Sequence, residues 1–535
     1  MNQTNIYKSL LILIAMIPFI GAAQLDELAE EQLKTTKKFS EVYRYVDNLY
    51  LEDIDGPKLT ETAIRAMLEE LDPHSVYISA EEVESANRNI VGSFVGVGIR
   101  FQILKDTLMV VNPIPGGPSA KVGVRAGDKI IKIDDEVVAG VGLKNSGVRD
   151  RLLGDKGSKV ILSIYRKGTK KLVEYEIKRD KIPVFSVPTS YMIDNEIGYI
   201  KLTSFSRTSY DEVHEAIEKL KGEGMKKLVF DLQDNGGGLL YASKQIADEF
   251  LDDDRMIVYS EGRAQPKKTY VADKKGIFEK GQVIFLIDES TASASEILSG
   301  AIQDWDRGVI IGRRSFGKGL VQRPIDLSDG SQIRLTIARY FTPSGRWIQK
   351  PYEDHDAYRN DYMTRFESGE LMSKDSIQLP DSLKYQTLVN KREIYGGGGI
   401  VPDIFVPIDT TQVSEMYKDI LRKGVINGFS IEYVDQNRKA LAEKYPTFED
   451  FKKATEISEI IEAFWKRVEE EGVEIVDEDL KISGKLIELR VKASIANDLW
   501  DFGKYYEIVN VENDVLSKAI EVFKTKGAYE KILKN

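Results

Sequence analysis

Residues Val283 to Gln322 read VIFLIDESTASASEILSGAIQDWDRGVIIGRRSFGKGLVQ, and the fold of the chain turns on them. VIFLID (Val283–Asp288) is an apolar run of strand length. ESTASASEILSGAIQDW starts with hydroxyl residues and becomes helical, with Ile297, Gly300, Ala301 and Trp305 spaced for one face. GVIIG is a second strand, and RRSFGKGLVQ is a turn flanked by glycines. A strand that runs into hydroxyl residues at a helix start suits a nucleophile. The first helical N–H groups lack intrahelical partners, and the dipole there favours developing negative charge. Ser290, Thr291, Ser293 and Ser295 all stand at that junction. The competing reading is an N-cap, because Ser293 followed by Glu296 has capping-box spacing.

Lys318 tilts the balance towards chemistry. It lies in Ser-Phe-Gly-Lys-Gly, where Gly317 and Gly319 let the backbone approach another segment closely. A serine hydroxyl needs a base to act as a nucleophile. The three histidines (His74, His214 and His355) all lie outside this stretch. A lysine desolvated between packed strands can lose its proton and serve instead, because burial disfavours its charge. Two rival motifs are weaker. Gly312-Arg-Arg-Ser-Phe-Gly317-Lys318 nearly spells a P-loop, but Gly319 stands where Ser or Thr must hold magnesium, and LVQRPIDL reads as a strand. Ser315-Phe-Gly-Lys318 spells S-x-x-K, but that motif wants a helix, the glycines oppose one, and the chain has no K-T-G.

TASASEI, AIQD and SFGKGLVQ together resemble the active-site signature of the carboxyl-terminal processing (tail-specific) proteases. The resemblance implies a Ser–Lys dyad in which the lysine lies 25 residues beyond the serine; 318 − 293 = 25 selects Ser293. It implies that Gln322, four after the lysine, orients Lys318, and it draws attention to Glu296 and Asp304 as supporting residues. A solvated helix position is an equal reading for Asp304. Thr291 stands where the family has the first serine of its S-A-S-A-S-E run.

Composition bounds the alternatives. The chain has 535 residues, 42% hydrophobic and 30% charged, enough for several soluble domains. A net charge of −11 argues against nucleic acid as the main partner. Without Cys, thiol catalysis, disulfides and zinc-thiolate sites are excluded. Scattered histidines oppose a His-rich metal site, and neither metal nor cofactor is expected. Residues 1–23 read as a signal peptide: Lys8 supplies the positive region, Leu10 to Ile20 the apolar core, and Gly21-Ala22-Ala23 the small residues for cleavage. Export across the inner membrane to the periplasm is the expectation, with membrane anchoring if the signal stays uncleaved.

Residues 24–91 read as an N-terminal helical region. Phe39, Val42, Val46 and Leu49 form one apolar face, and Leu59 to Leu71 form a second helix before Asp72-Pro73. LDPHSVYIS resembles a family segment, but His74 reads as a polar turn residue. Residues 92–180 alternate as short strands around PGGPSA and GVRAGDKIIKID, an order that resembles a bacterial PDZ domain. Such a module implies β-addition of a peptide and capture of its carboxylate by backbone N–H groups. Phe94, Gly96, Val97, Gly98 and Ile99 match the position of that loop. Residues 181–407 read as a mixed α/β peptidase core, which the resemblance makes crotonase-like (ββα). Within it, KKLVFDLQ is a buried strand before Asp234-Asn-Gly-Gly-Gly238 and a helix. The same loop in the family supports the oxyanion, so Gly237 or Gly238, with Ala294, are the expected N–H donors. Gln233 stands where the family usually has Arg. Residues 350–395 read as an insertion or flap, and 408–535 as a helical C-terminal domain for assembly or partner contact, including a possible adaptor or homo-oligomer.

The expectation is a multidomain α/β serine endopeptidase acting on proteins with accessible, apolar C-termini. A crotonase-type acyl-transfer enzyme shares the glycine-loop oxyanion hole, and a catalytically silent PDZ scaffold shares the binding module; both remain alternatives.

Overall fold

The computed structural model describes residues 30–455 and 457–534; the signal peptide expected over residues 1–23 lies outside them. Residues 30–71 with 75–77 form one compact unit, and residues 72–74 with 78 onward another. In the first, residues 30–49 and Gly56–Glu69 are helical, as the apolar spacing predicts, and Phe39, Val42 and Leu49 are exposed. Among the described residues, no helix is long and apolar enough to cross a membrane.

The second unit is built on a sheet ordered Thr189–Met192, Ile197–Lys201, Lys227–Asp231, Gln282–Ile287, Val309–Gly312 and Ile404–Phe405. Its four inner pairings from Ile197–Lys201 onward are parallel. A parallel sheet is covered on both faces, which explains why its strands are continuous apolar runs. Leu228, Phe230, Val283, Phe285 and Ile310 share one core with the helices Ser209–Gly222, Leu240–Asp248 and Ala294–Asp304. The alternate residues Val229, Ile284, Leu286, Val309 and Ile311 share another with Val515, Leu516, Ala519, Val522 and Phe523. The last two helices, Asp514–Lys524 and Ala528–Lys534, therefore belong to the peptidase core. That corrects the reading of residues 408–535 as one separate domain: the uncovered face of a two-faced sheet recruits them.

A second sheet contains Gln265–Val271, Met256–Gly262, Gln332–Phe341 and Leu320–Asp326 in that order, with antiparallel pairings. The 256–271 hairpin was not legible, because its strands are half-polar and carry no turn dipeptide. Residues 350–395 do not hang free as a flap. Arg365 donates to Arg314 O and, at 3.3 Å, to Ser315 O, while Glu370 accepts from both guanidiniums at 2.7–2.8 Å.

In the PDZ-like module the sheet runs Ile99–Leu104, Thr107–Pro113, Lys129–Ile133, Lys159–Tyr165, Val173–Lys178, which leaves Ile99–Leu104 at an edge. Ser93–Gly96 pairs antiparallel with Asp180–Pro183, so the module's entry and exit are stitched together. The helices between Glu415 and Val509 share their own core. They meet the module where Arg100 donates to Asn497 Oδ1 at 2.6 Å and Asp498 Oδ1 at 3.0 Å.

Candidate active site

A cavity of about 680 Å³ is lined by Ser293, Lys318, Gly237, Gly238, Ala294 and Gln322, among others. The strand Gln282–Ile287 delivers the hydroxyl turn, and the helix Ala294–Asp304 begins directly after Ser293. The four hydroxyls of that turn differ in their freedom. Thr291 and Ser295 are fully buried; Thr291 Oγ1 lies 3.0 Å from Leu232 O, and Ser295 Oγ donates to Asn235 O at 2.9 Å. Ser290 is exposed and lies outside the cavity lining. Ser293 lines the cavity and is the N-cap by position; with Glu296 it has the capping-box arrangement, but its hydroxyl makes no side-chain cap hydrogen bond of ordinary geometry. Its backbone sits at φ 57°, ψ −114°, a sparsely populated conformation for a residue with a side chain. A cap residue normally has extended backbone; Ser293 does not.

Glu296 is where the two halves of the site meet. It is fully buried. Its Oε2 accepts from Ser293 N at 2.8 Å and Lys318 N at 2.9 Å. Its Oε1 accepts from Ser315 Oγ at 2.5 Å and Gly317 N at 2.7 Å. Burial still pushes its carboxyl up, against those donors. The fully buried Ser315 hydroxyl is thus committed, which disposes of the S-x-x-K reading, and the strand Leu320–Asp326 after the loop disposes of the P-loop. Gly317 has φ +87°, and a Cβ there would lie 3.1 Å from the Gly398–Gly399 backbone, so the close approach expected of it is real.

Tyr340 was not picked out from the sequence. Its hydroxyl lies 3.0 Å from Ser293 O and also reaches Lys318 O. The N–H groups of Ser293 and Lys318 meet one carboxylate oxygen and their carbonyls meet one phenol, which fixes the spacing of the two residues through the backbone. A lone Tyr in a long strand carries no sequence signal for this.

Lys318 is half-buried and its amine has no hydrogen-bond or ion-pair partner among the described residues. Burial lowers its pKa, helped by Arg334 and opposed by Glu296 and Asp72. No hydrogen bond joins its Nζ to Ser293 Oγ, and such contacts often tighten only with substrate. Nor does Gln322 bond to it: the Gln322 amide donates to Thr336 Oγ1 at 3.2 Å, and Thr336 Oγ1 donates to Asp72 Oδ1 at 3.1 Å. The turn around Asp72 therefore belongs to the site, and His74 is more than a solvent-facing turn residue. His74 Nε2 is 2.7 Å from Tyr358 Oη, and burial, then Lys318, push its pKa down to about 4.

The glycine loop lies against the nucleophile turn. A Cβ on Gly237 would come 2.8 Å from Ser293 Cβ and 2.6 Å from Ala292 O. The Gly237 N–H is already spent on Asn235 Oδ1 at 2.9 Å. The Gly238 and Ala294 N–H groups have no partner among the described residues, which narrows the expected donors to these two. Asp304 is fully buried and ion-paired to Arg346 at 2.7 Å, so the solvated reading fails; burial of both partners is the reason. In the PDZ-like module, Val97 and Gly98 carbonyls are held by Ser119 N and Ile114 N, each at 2.9 Å, while their N–H groups make no hydrogen bond among the described residues. The Phe94 ring lies under the Arg88 guanidinium, 4.9 Å away, and Val97 is buried in the module's core.

Profile comparison matches peptidase family S41 over residues 196–357, a PDZ domain over 95–177, and the N-terminal domain of the activating protease CtpB over 20–82. Residues 416–501 match a family of unknown function. A carboxy-terminal-processing protease from Bartonella bacilliformis is 39% identical over 321 residues, covering 59% of this chain and 73% of that one. The chain belongs to this family of carboxy-terminal processing proteases. CtpA from Bacillus subtilis is 35% identical, covering 58% of this chain and 66% of that protein. The photosystem II D1 C-terminal processing protease is a similar solved structure, 32% identical, with a TM-score of 0.33, covering 57% of this chain and 88% of that one. The protein is thus a serine-type peptidase of family S41 that carries a PDZ domain.

Proposed function

We propose that this S41 peptidase is an exported endopeptidase that recognises protein C-termini through its PDZ domain and cuts with a Ser293–Lys318 dyad. In this reading neutral Lys318 takes the proton from Ser293 Oγ as the hydroxyl attacks the scissile carbonyl, and gives it to the leaving amine as the C–N bond breaks; water, deprotonated by the same lysine, then hydrolyses the acyl-enzyme and frees Ser293. The Gly238 and Ala294 N–H groups receive the oxyanion, where losing one donor from a comparable site costs about 3–4 kcal/mol. Glu296 and Tyr340 position the two reacting residues, and Gln322 acts through Thr336 and Asp72. The free Val97 and Gly98 N–H groups take the substrate carboxylate, and the edge strand Ile99–Leu104 takes its backbone. The reading requires neither metal nor cofactor.

The observation that carries it is the Ser293 hydroxyl, on a strained backbone at the helix start, sharing one cavity with an unpaired lysine and two unpaired N–H groups. Casein cleavage by wild type and Ser293→Ala tests it. The variant is expected to fold and to lose proteolysis, since losing a cap contact costs at most about 0.5–2 kcal/mol. Undiminished cleavage by Ser293→Ala would remove the nucleophile assignment, and an inactive wild type would favour the scaffold reading.

A further inference from the structure

Asp288 follows the strand Gln282–Ile287 and lies beneath the junction of the two loops on which the proposed reaction depends. It is 4% exposed. Its Oδ1 accepts from Ser290 N at 3.0 Å, and Thr291 Oγ1 lies 3.0 Å from the same oxygen. Asp234 N stands 3.1 Å from Oδ1 and 2.9 Å from Oδ2. One carboxylate therefore ties the start of the nucleophile turn to the start of the glycine loop. Downstream of these anchors lie Ser293 and Ala294 on one side and Gly238 on the other. The glycine loop has other supports: Asn235 O accepts from Ala292 N at 3.0 Å and from Ser295 Oγ at 2.9 Å, a second tie to the nucleophile turn, while Lys201 Nζ donates to Gln233 O at 2.6 Å and Asn513 Nδ2 donates to Gln233 Oε1 at 3.0 Å.

We propose that Asp288 is a positioning residue for peptide hydrolysis, whose carboxylate sets the distance between the glycine-loop N–H and the Ser293–Ala294 turn. The proposal rests on the dyad and oxyanion assignments above. Its physical basis is donor arithmetic. An ionised carboxylate only accepts, and two of its three partners here, Ser290 N and Asp234 N, only donate, while the Thr291 hydroxyl can do either. Once protonated, one of its oxygens carries an O–H and accepts less well from those N–H groups, and this tie between the loops is weakened. The groups that act on it are Asp234 and Glu289, which oppose its charge, and Arg313 and Lys201, which favour it. Arg313 is itself paired with Glu289 at 2.6 Å, and Lys201 with Asp231 at 3.1 Å. Burial first, then Asp234 and Glu289, push the Asp288 carboxyl up to about 6, so the tie weakens within an accessible pH range.

Lys318 also titrates, so the test uses a ratio. The full-length enzyme and its Asp288→Asn variant are assayed on one fluorogenic peptide from pH 5 to 8. Asn keeps the shape but presents an NH₂ to the same donors, as the protonated acid does. The wild-type/variant ratio of kcat is expected to be about tenfold or more above pH 7, with KM changed less than about threefold, and to fall towards one near pH 5. Lys318 ionisation cancels in that ratio. A ratio that stays constant with pH, or stays near one throughout, overturns the proposal. If Asp288→Asn fails to fold, Asp234→Asn serves. That site is exposed, Asp234 is not among the charges acting on Lys318, and its loss lowers the Asp288 acid. The acid limb of kcat should then move down by about half a pH unit, and an unmoved limb overturns the idea. Ser293→Ala in the same assay reads the underlying assignment separately. An active Ser293→Ala sinks the nucleophile, whereas a dead one beside a pH-independent ratio sinks only Asp288.

Discussion

Replacing Glu296 by Gln should separate the structural from the electrostatic part of this site. The carboxylate receives four donors, two on each oxygen. Gln offers one accepting oxygen and one NH₂. With its oxygen towards Ser293 N and Lys318 N, the Gly317 N–H is orphaned, while the Ser315 hydroxyl can turn to accept. A buried donor left unsatisfied costs about 1–3 kcal/mol. The opposite orientation orphans two main-chain donors, about 2–6 kcal/mol, so the first prevails. Loss of a buried charge that burial already disfavours offsets part of this. Glu296→Ala would orphan all four donors, about 4–12 kcal/mol, comparable with the whole stability of a domain, which is why Gln is the informative change. Glu296 also holds the Lys318 pKa up. Removing that negative charge makes the ammonium less favourable, so the acid limb of the pH–rate profile should move to lower pH by about half a unit or more. Urea unfolding and a kcat/KM profile from pH 5 to 9 read both effects. The expected variant is destabilised by about 1–3 kcal/mol, slower at its plateau, and shifted to acid. Wild-type stability with an unmoved profile would refute the reasoning about this carboxylate.

Other outcomes follow from the same geometry. Wild-type activity should rise with pH through the lowered Lys318 pKa and then level off, because only the neutral amine accepts a proton; Lys318→Arg, which keeps the charge but cannot release it, should be inactive in the same pH–rate assay. A rate that falls from pH 6 to 9 in the folded protein would point to another base. Amidating the C-terminus of a model substrate should raise its KM, because the Val97 and Gly98 N–H groups then meet a neutral amide; equal kinetics for acid and amide would argue against carboxylate capture.

The linear chain by itself determined the elements and their order. VIFLI had to be a buried strand because five consecutive apolar residues leave no polar face, and the structure puts Val283, Phe285 and Ile287 on one side and Ile284 and Leu286 on the other. The residues alone placed four hydroxyls at the helix start and Lys318 in the turn beyond; the choice of Ser293 among them came from the resemblance to a family signature. What only the tertiary structure decided is how these residues are held. Which of four hydroxyls is free depends on partners such as Leu232 and Asn235, which come from a different strand and loop. The Tyr340 contact, the Gln322–Thr336–Asp72 chain and the His74–Tyr358 contact join residues from 14 to 284 positions apart, and no local periodicity encodes such separations. Glu296 lay on the border between the two. Its capping-box spacing was visible, but its service to Ser315, Gly317 and Lys318 was not. A carboxylate can satisfy several donors at once, and which donors arrive is settled by the packing of strands against strands. The C-terminal helices obey the same logic: the chain reads as helical there, but the sheet face that the last two bury exists only once the parallel strands have assembled.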